Sequence, residues 1–132
     1  MHRIRLAFSE FWAGFVDRSS FPHRPIEAWP EGYVPRNAPF PRITYQIGMP
    51  YMLESTILSA SVWDRRQQTG FFGLVDDVLE QIGEAVPPGG IQIGGGALWI
   101  MRSNPFIAYL DDPDDPLITR GIVRFTVRAH GM

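Results

Sequence analysis

Apolar positions along this chain repeat first at helical spacing, later at a period of two, then helically again, and finally at two towards the C-terminus. Residues 2–17 place Ile4, Phe8, Phe11, Trp12 and Phe15 at steps of three and four, with Arg3, Arg5, Glu10 and Asp17 mostly elsewhere on the wheel. This predicts an amphipathic helix over residues 1–18 with an aromatic face. The expected arrangement is docking on its own sheet; a neighbouring subunit or a membrane surface are the alternatives. From Arg42 the period becomes two. ITYQI sets Ile43, Tyr45 and Ile47 on one face, GMPY turns, and ESTILSASVWD alternates Leu58, Ala60 and Val62 against Ser59, Ser61 and Trp63, which predicts a β-hairpin.

TGFFGLVDDVLEQIGEAV returns to helical spacing. Phe71, Phe72, Leu74, Val75, Val78, Leu79, Ile82 and Val86 form the apolar stripe, and Asp76, Asp77, Glu80 and Glu84 form the wet face. Thr69 is the candidate N-cap, with Asp64 and Gln67 marking an earlier start, and Pro87-Pro88-Gly89-Gly90 ends the helix. Three strands follow at 91–93, 97–102 and 118–130. In the last, Val123, Phe125, Val127 and Ala129 face one way while Arg124, Thr126 and Arg128 face the other. FIAYLDDPDDPL between them reads as a turn-rich loop.

Between Ser19 and Pro41 stand six prolines, at 22, 25, 30, 35, 39 and 41. Proline removes a backbone donor and fixes φ, so neither a helix nor a central strand is expected there. Trp29, Tyr33 and Phe40 argue against a fully solvated linker, and an extended arm lying on a surface is expected instead. The order is α, arm, ββ, α, βββ. The predicted fold is α/β of the α+β kind: an antiparallel or mixed sheet of about five strands, two helices packed on one face, and an extended Pro-rich arm. Residues 1–132 form a single domain, with helix at 1–18, arm at 19–41 and core sheet and helix at 42–131.

Composition supports one folded core: 132 residues, 45% hydrophobic, 13% aromatic and 20% charged. The net charge of −2 gives no long-range field for nucleic acid. With no cysteine, disulfides and thiolate metal sites are excluded. Every one of the 12 Lys and Arg residues is arginine, which reads first as the usage of a GC-rich genome; the functional alternative is that arginine's planar fork suits interfaces and bidentate pairing. No run of eighteen apolar residues is present, and Glu10 interrupts the apolar stretch at the N-terminus with no small-residue cleavage site after it, so that segment is expected to be retained.

Five glycines crowd GGIQIGGG at 89–96. A P-loop would need Lys and Ser/Thr where Gly95 and Gly96 stand, and it would follow a strand and precede a helix, the reverse of the order here. The dinucleotide pattern is missing too. The glycines therefore predict a tight hairpin. Asp111, Asp112, Asp114 and Asp115 in DDPDD lack the spacing of a calcium loop and read as a solvated acidic turn. Asp76 and Asp77, adjacent on a helix, diverge too far to work as an acid/base pair. His2, His23 and His130 share no ligand spacing. Arg65 and Arg66 form a basic pair after the hairpin and read first as a solvated turn, with an anion or partner contact as the alternative. No catalytic, cofactor-binding or metal-binding residue is assigned, no cofactor is called for, and an enzyme is not expected.

FPRITYQI, LSASVWDR, a helix ending in VPPGG, ALWIMRSNPF and GIVRFTVRAHG together resemble the tail-terminator or tail-completion (minor tail) proteins of long-tailed bacteriophages and prophages. The resemblance covers about residues 40 to 131 and leaves the first helix and arm outside it. It implies an α/β fold that assembles as a ring, commonly of six copies, on the head-proximal end of the tail tube, where it ends tube growth and joins the tail to the head connector. The implied partners are further copies of the chain, the tail tube protein and the connector protein. The implied place is the virion tail, after assembly in the bacterial host cytoplasm. The family brings no catalytic residues. A ring needs two different patches per subunit. The expected interface residues are Arg124 and Arg128 of the last strand, set against Asp111, Asp112, Asp114 and Asp115, together with Arg65 and Arg66 and with Trp29 and Tyr33 on the arm. The competing expectation is a small-molecule-binding α/β domain whose aromatic pocket, lined by Trp29, Tyr33 and Trp99, lies under the arm. A membrane-surface module using the first helix is a third.

Overall fold

A computed structural model describes residues 2–18, 26–38, 40–46, 56–65, 73–96, 98–111 and 118–129. In chain order the elements are α1 (His2–Arg18), β1 (Glu27–Pro30), β2 (Arg42–Tyr45), β3 (Thr56–Arg65), α2 (Gly73–Ala85), β4 (Ile91–Ile93), β5 (Leu98–Asp111) and β6 (Ile118–Ala129). The strands form one six-stranded sheet in the order β1-β2-β3-β6-β5-β4. All neighbours run antiparallel except β1 and β2, which are parallel. The α+β class, the mixed sheet and the two helices agree with the sequence.

Two elements depart from expectation. The sheet has a sixth strand, because the arm supplies β1, which pairs Glu27–Pro30 with Arg42–Tyr45. Its place at the sheet edge is where a strand ending in proline is tolerated. The second departure is β5, which runs on to Asp111 through residues expected to form a loop. The twelve residues of β6 offer a partner along that whole length, and a register shift between Arg102 and Ile107 takes up Pro105, which has no ladder donor to give. Pairing with β6 thereby overrides the local turn signal. Asp64 belongs to β3 and is buried, so it caps no helix. Thr69, Gln67, Phe71, Phe72 and the GMPY turn lie outside the described residues.

Period two decides what the sheet buries. Across β2, β3 and β6 the rows Ile43–Val62–Gly121 and Tyr45–Ala60–Val123 share a face with Leu58–Phe125, and these side chains are core. Both described helices pack on that face. The aromatic stripe of α1 docks there as the first of its alternatives predicted: Trp12, 2% exposed, stacks on Tyr45 at 5.7 Å and lies tilted over Phe125 at 6.2 Å, with Phe11 and Phe15 edge-on to it. α1 also touches both edge strands, β1 and β4, so the sheet curls around it. The C-terminus of α2 is held by Arg102, whose Nε and Nη2 donate to the carbonyls of Val86 and Gly83, each at 2.8 Å. That places a cation where the helix dipole favours one.

The glycine-rich stretch turns the β4–β5 hairpin as expected. Gly94, Gly95 and Gly96 take φ of 63°, 68° and 91°, a region that L side chains avoid. Gly121 serves a different purpose, letting α2 approach β6. A Cβ there would sit 2.6 Å from Leu79 Cδ1 and 3.0 Å from Val75 Cγ1, and both side chains are fully buried with nowhere to move. Gly121→Val is therefore expected to destabilise the fold by about 1–3 kcal/mol through overpacking. Chemical denaturation measures it, and unchanged stability would contradict this packing.

Candidate functional site

The face of the sheet opposite the helices carries the charge. The same alternation that buries Val123, Phe125 and Val127 sends Arg120, Arg124 and Arg128 of β6 to the other side, together with Arg65 of β3 and Arg42 of β2. Glu27, at the β1 edge, is the acid that the described strands place there, and it accepts a hydrogen bond from Trp29 Nε1 at 3.2 Å. Among the described residues no helix covers this face.

Register builds two zones on it. At one end Arg42, Trp63 and Arg120 stand in a row across β2, β3 and β6. The Arg120 guanidinium lies 4.3 Å from the Trp63 ring centroid and donates through Nε and Nη2 to Ser61 Oγ at 3.1 and 3.0 Å. Trp63 Nε1 donates to Thr44 Oγ1 at 2.9 Å. Arg42 and Arg65 both lie over the Phe40 ring, at 4.3 and 4.7 Å. Arg42 Nη1 donates to the Ala38 carbonyl, while its Nε is buried without a hydrogen-bond partner. Burial, and secondarily the neighbouring charge of Arg65, pushes the Arg42 pKa below the ordinary arginine value. At the other end Ile57 pairs with Thr126, and Arg124 and Arg128 lie on its two diagonals. Ile57 is 60% exposed.

The opposite side of the molecule has the reverse sign. The outward face of α2 presents Asp76, Asp77, Glu80 and Glu84, all exposed, and no basic residue. Beside it runs an open groove of about 500 Å³ between the helix end and β5, lined by Leu79, Pro87, Pro88, Phe106 and Ile107 and edged by Glu80 and Glu84. Tyr109 of β5 donates its hydroxyl to Asp76 Oδ1. Among the described residues no group of three or more His, Asp or Glu is placed to hold a metal ion.

The sequence-predicted interface residues are partly assembled. Arg65, Arg124 and Arg128 do share the open face. Asp111 ends β5 opposite Thr119, next to the row that ends in Arg65, so within one copy Asp111 stands at the Arg65 end of the sheet and not at the Arg128 end. Arg66, Asp112, Asp114 and Asp115 lie outside the described residues. Trp29 sits half-buried on β1, whereas Tyr33 is 71% exposed beyond its end. Trp99 lies on β5, four strands away from β1 in the sheet, so Trp29, Tyr33 and Trp99 are not brought to one pocket. Arg42, Arg120, Trp63 and Phe40 were missed. Arg120 had a readable signal, since it precedes Arg124 and Arg128 by steps of four in a period-two segment. Arg42 had none, because only the cross-strand register places it beside Trp63.

Comparison with protein-family models, with curated proteins and with solved structures finds no match to this chain.

The Tyr109–Asp76 pair makes the α2–β5 contact sensitive to alkali. The bond to Asp76, then burial, then the Asp76 charge raise the Tyr109 pKa from 10.0 to about 12. A raised folded-state value means the folded chain favours the neutral phenol. The pair's contribution to stability is therefore complete below pH 10 and is lost as pH rises from there to about 12. Asp76→Ala is expected to bring Tyr109 back towards 10.0 and to flatten the alkaline decline in stability, read by tyrosinate absorbance and by thermal melting across that range. Identical alkaline profiles for the two proteins would refute the pairing.

Proposed function

We propose that this chain is a structural phage protein that forms a ring at the head-proximal end of a tail tube, ends tube growth, and joins the tail to the head connector. The reading rests on the resemblance of residues 40 to 131 to tail-terminator proteins. It is supported above all by the arginine-lined sheet face, which carries aromatic and apolar side chains, with no described helix over it. Arginine, tryptophan and exposed aliphatic side chains on one surface are the composition of a protein interface. A ring further requires that the surface meeting the next copy differ from the surface that receives it. This molecule has two such surfaces, one basic and one acidic. In this reading the chain works by shape and surface charge, with no bond-making step, and resides in the virion tail after assembly in the host cytoplasm.

The aromatic stripe of α1, buried on the chain's own sheet, supports neither a membrane role nor reach into a neighbouring subunit. Electron microscopy of the full chain mixed with purified tail tubes is expected to show a ring at one end of each tube. Tubes with bare ends, or decorated along their sides, would overturn the proposal. Arg124→Glu combined with Arg128→Glu is expected to reduce end occupancy at least about tenfold, since truncating or reversing interface charges costs several-fold to many-fold in affinity. Occupancy equal to wild type would remove this face from the interface.

A further inference from the structure

We infer that the two unlike surfaces of this molecule are halves of one contact, in which Ile57, flanked by Arg124 and Arg128 on one copy, seats in the groove beside Glu80 and Glu84 on the next. The partner is a second copy of this chain. This deepens the ring reading, on which it rests, by naming both faces of the contact between subunits, and it replaces the acidic run at 111–115 with the wet face of α2 as the arginines' partner.

The donor half is a projecting aliphatic side chain between two cations. Ile57 is 60% exposed, and Arg124 and Arg128 bracket it diagonally on the adjacent strand. Arg124 and Arg128 make no hydrogen bond or ion pair with any described residue, so their donors are uncommitted within the described part of the copy that carries them. The acceptor half inverts this pattern, with an apolar floor and an anionic edge. Leu79, Pro87, Phe106 and Ile107 line the groove, and Glu80 and Glu84 stand exposed along it. Among the described residues lining the groove the cation is Arg102, which is already bonded to the carbonyls of Gly83 and Val86 at the C-terminal end of α2 and lies over Phe106 at 4.7 Å.

The spacings are compatible. Arg124 and Arg128, four residues apart on a strand, are separated by about 13 Å. Glu80 and Glu84, four residues apart on α2, stand about 40° apart and about 6 Å apart along its axis. Long arginine side chains close the remaining difference. α2 itself carries no base, and the like charge of Arg102 in the groove is engaged by the carbonyls of Gly83 and Val86. The two halves sit on opposite sides of one subunit, one on the open sheet face and one on the helix layer. The contact is accordingly heterologous: each copy uses a different patch at each neighbour, and repetition gives a closed ring or an open filament. A symmetric two-copy contact would leave one of the two surfaces unused.

Sedimentation velocity on the full chain, with circular dichroism as the fold control, tests the contact through a charge swap. The wild-type chain is expected to associate at low ionic strength and to dissociate as salt is added. Arg124→Glu with Arg128→Glu, and separately Glu80→Arg with Glu84→Arg, are each expected to weaken self-association at least about tenfold while remaining folded. Mixed in equal amounts, the two variants regain association, because each reversed face then meets a reversed groove. Ile57→Asp in the wild-type background weakens it as well, without changing the fold. A wild-type chain that stays monomeric at low salt would overturn the inference. Reversals without effect, or variants that associate no better together than apart, would do the same. The outcome is separable from the tail reading. Self-association with these residues at its interface but no ring on tail tubes sinks the tail reading alone, whereas rings on tubes that tolerate both reversals sink this contact alone.

Discussion

The alternation of β6 is the constraint from which the rest of the molecule follows. A strand in the middle of a sheet presents two faces, and here one of them must lie under helices. Gly121, Val123, Phe125 and Val127 take that side, so Arg120, Arg124 and Arg128 are forced to the other. A slip of one residue would bury three guanidinium groups against Trp12 and Leu79, a cost of several kcal/mol per unpaired charge that no packing gain could offset. Register, core and surface charge are thus a single choice. The close approach permitted by Gly121 and the Trp12 stack on Tyr45 fix the helix layer on the chosen side.

That choice gives a nearly neutral chain a polar distribution of charge. A net charge of −2 suggests an electrostatically bland molecule. The fold separates the charges, collecting arginines from β2, β3 and β6 on the open sheet face and Asp76, Asp77, Glu80 and Glu84 on the outward face of α2. Separated charge of this kind contributes little to the stability of one copy, since exposed pairs are weak even where they form. Its physical consequence is orientation, because a second body of like construction is attracted in one pose and repelled in the reversed one. This supports the proposed function carried by surfaces.

Much of this was legible in the residues, and the parts that were not have identifiable causes. The α1 stripe, the alternation in β3 and β6 and the glycine turn before β5 were readable because each depends on neighbours within a few positions. β1 was not readable. EAWP is four residues ending in proline, and its strand character comes from pairing with β2 across an intervening segment. The extension of β5 through Phe106–Asp111 was hidden for the same reason, since only the length of β6 rewards it. The candidate surface divides along the same line. Arg124 and Arg128 were found by period, while the partnership of Arg42, Trp63 and Arg120 exists only in the cross-strand register. The groove beside α2 required the bulge at 102–107 to bring Phe106 and Ile107 beneath Glu80 and Glu84, and no local pattern announces a bulge of that kind.

The central claim is that the chain acts as a stop on a growing filament. Its most direct test is the length distribution of tails in particles made by a phage lacking this chain. The account predicts tails that are overlong and variable, with heads left unjoined. Tails of uniform, normal length attached to heads would contradict it.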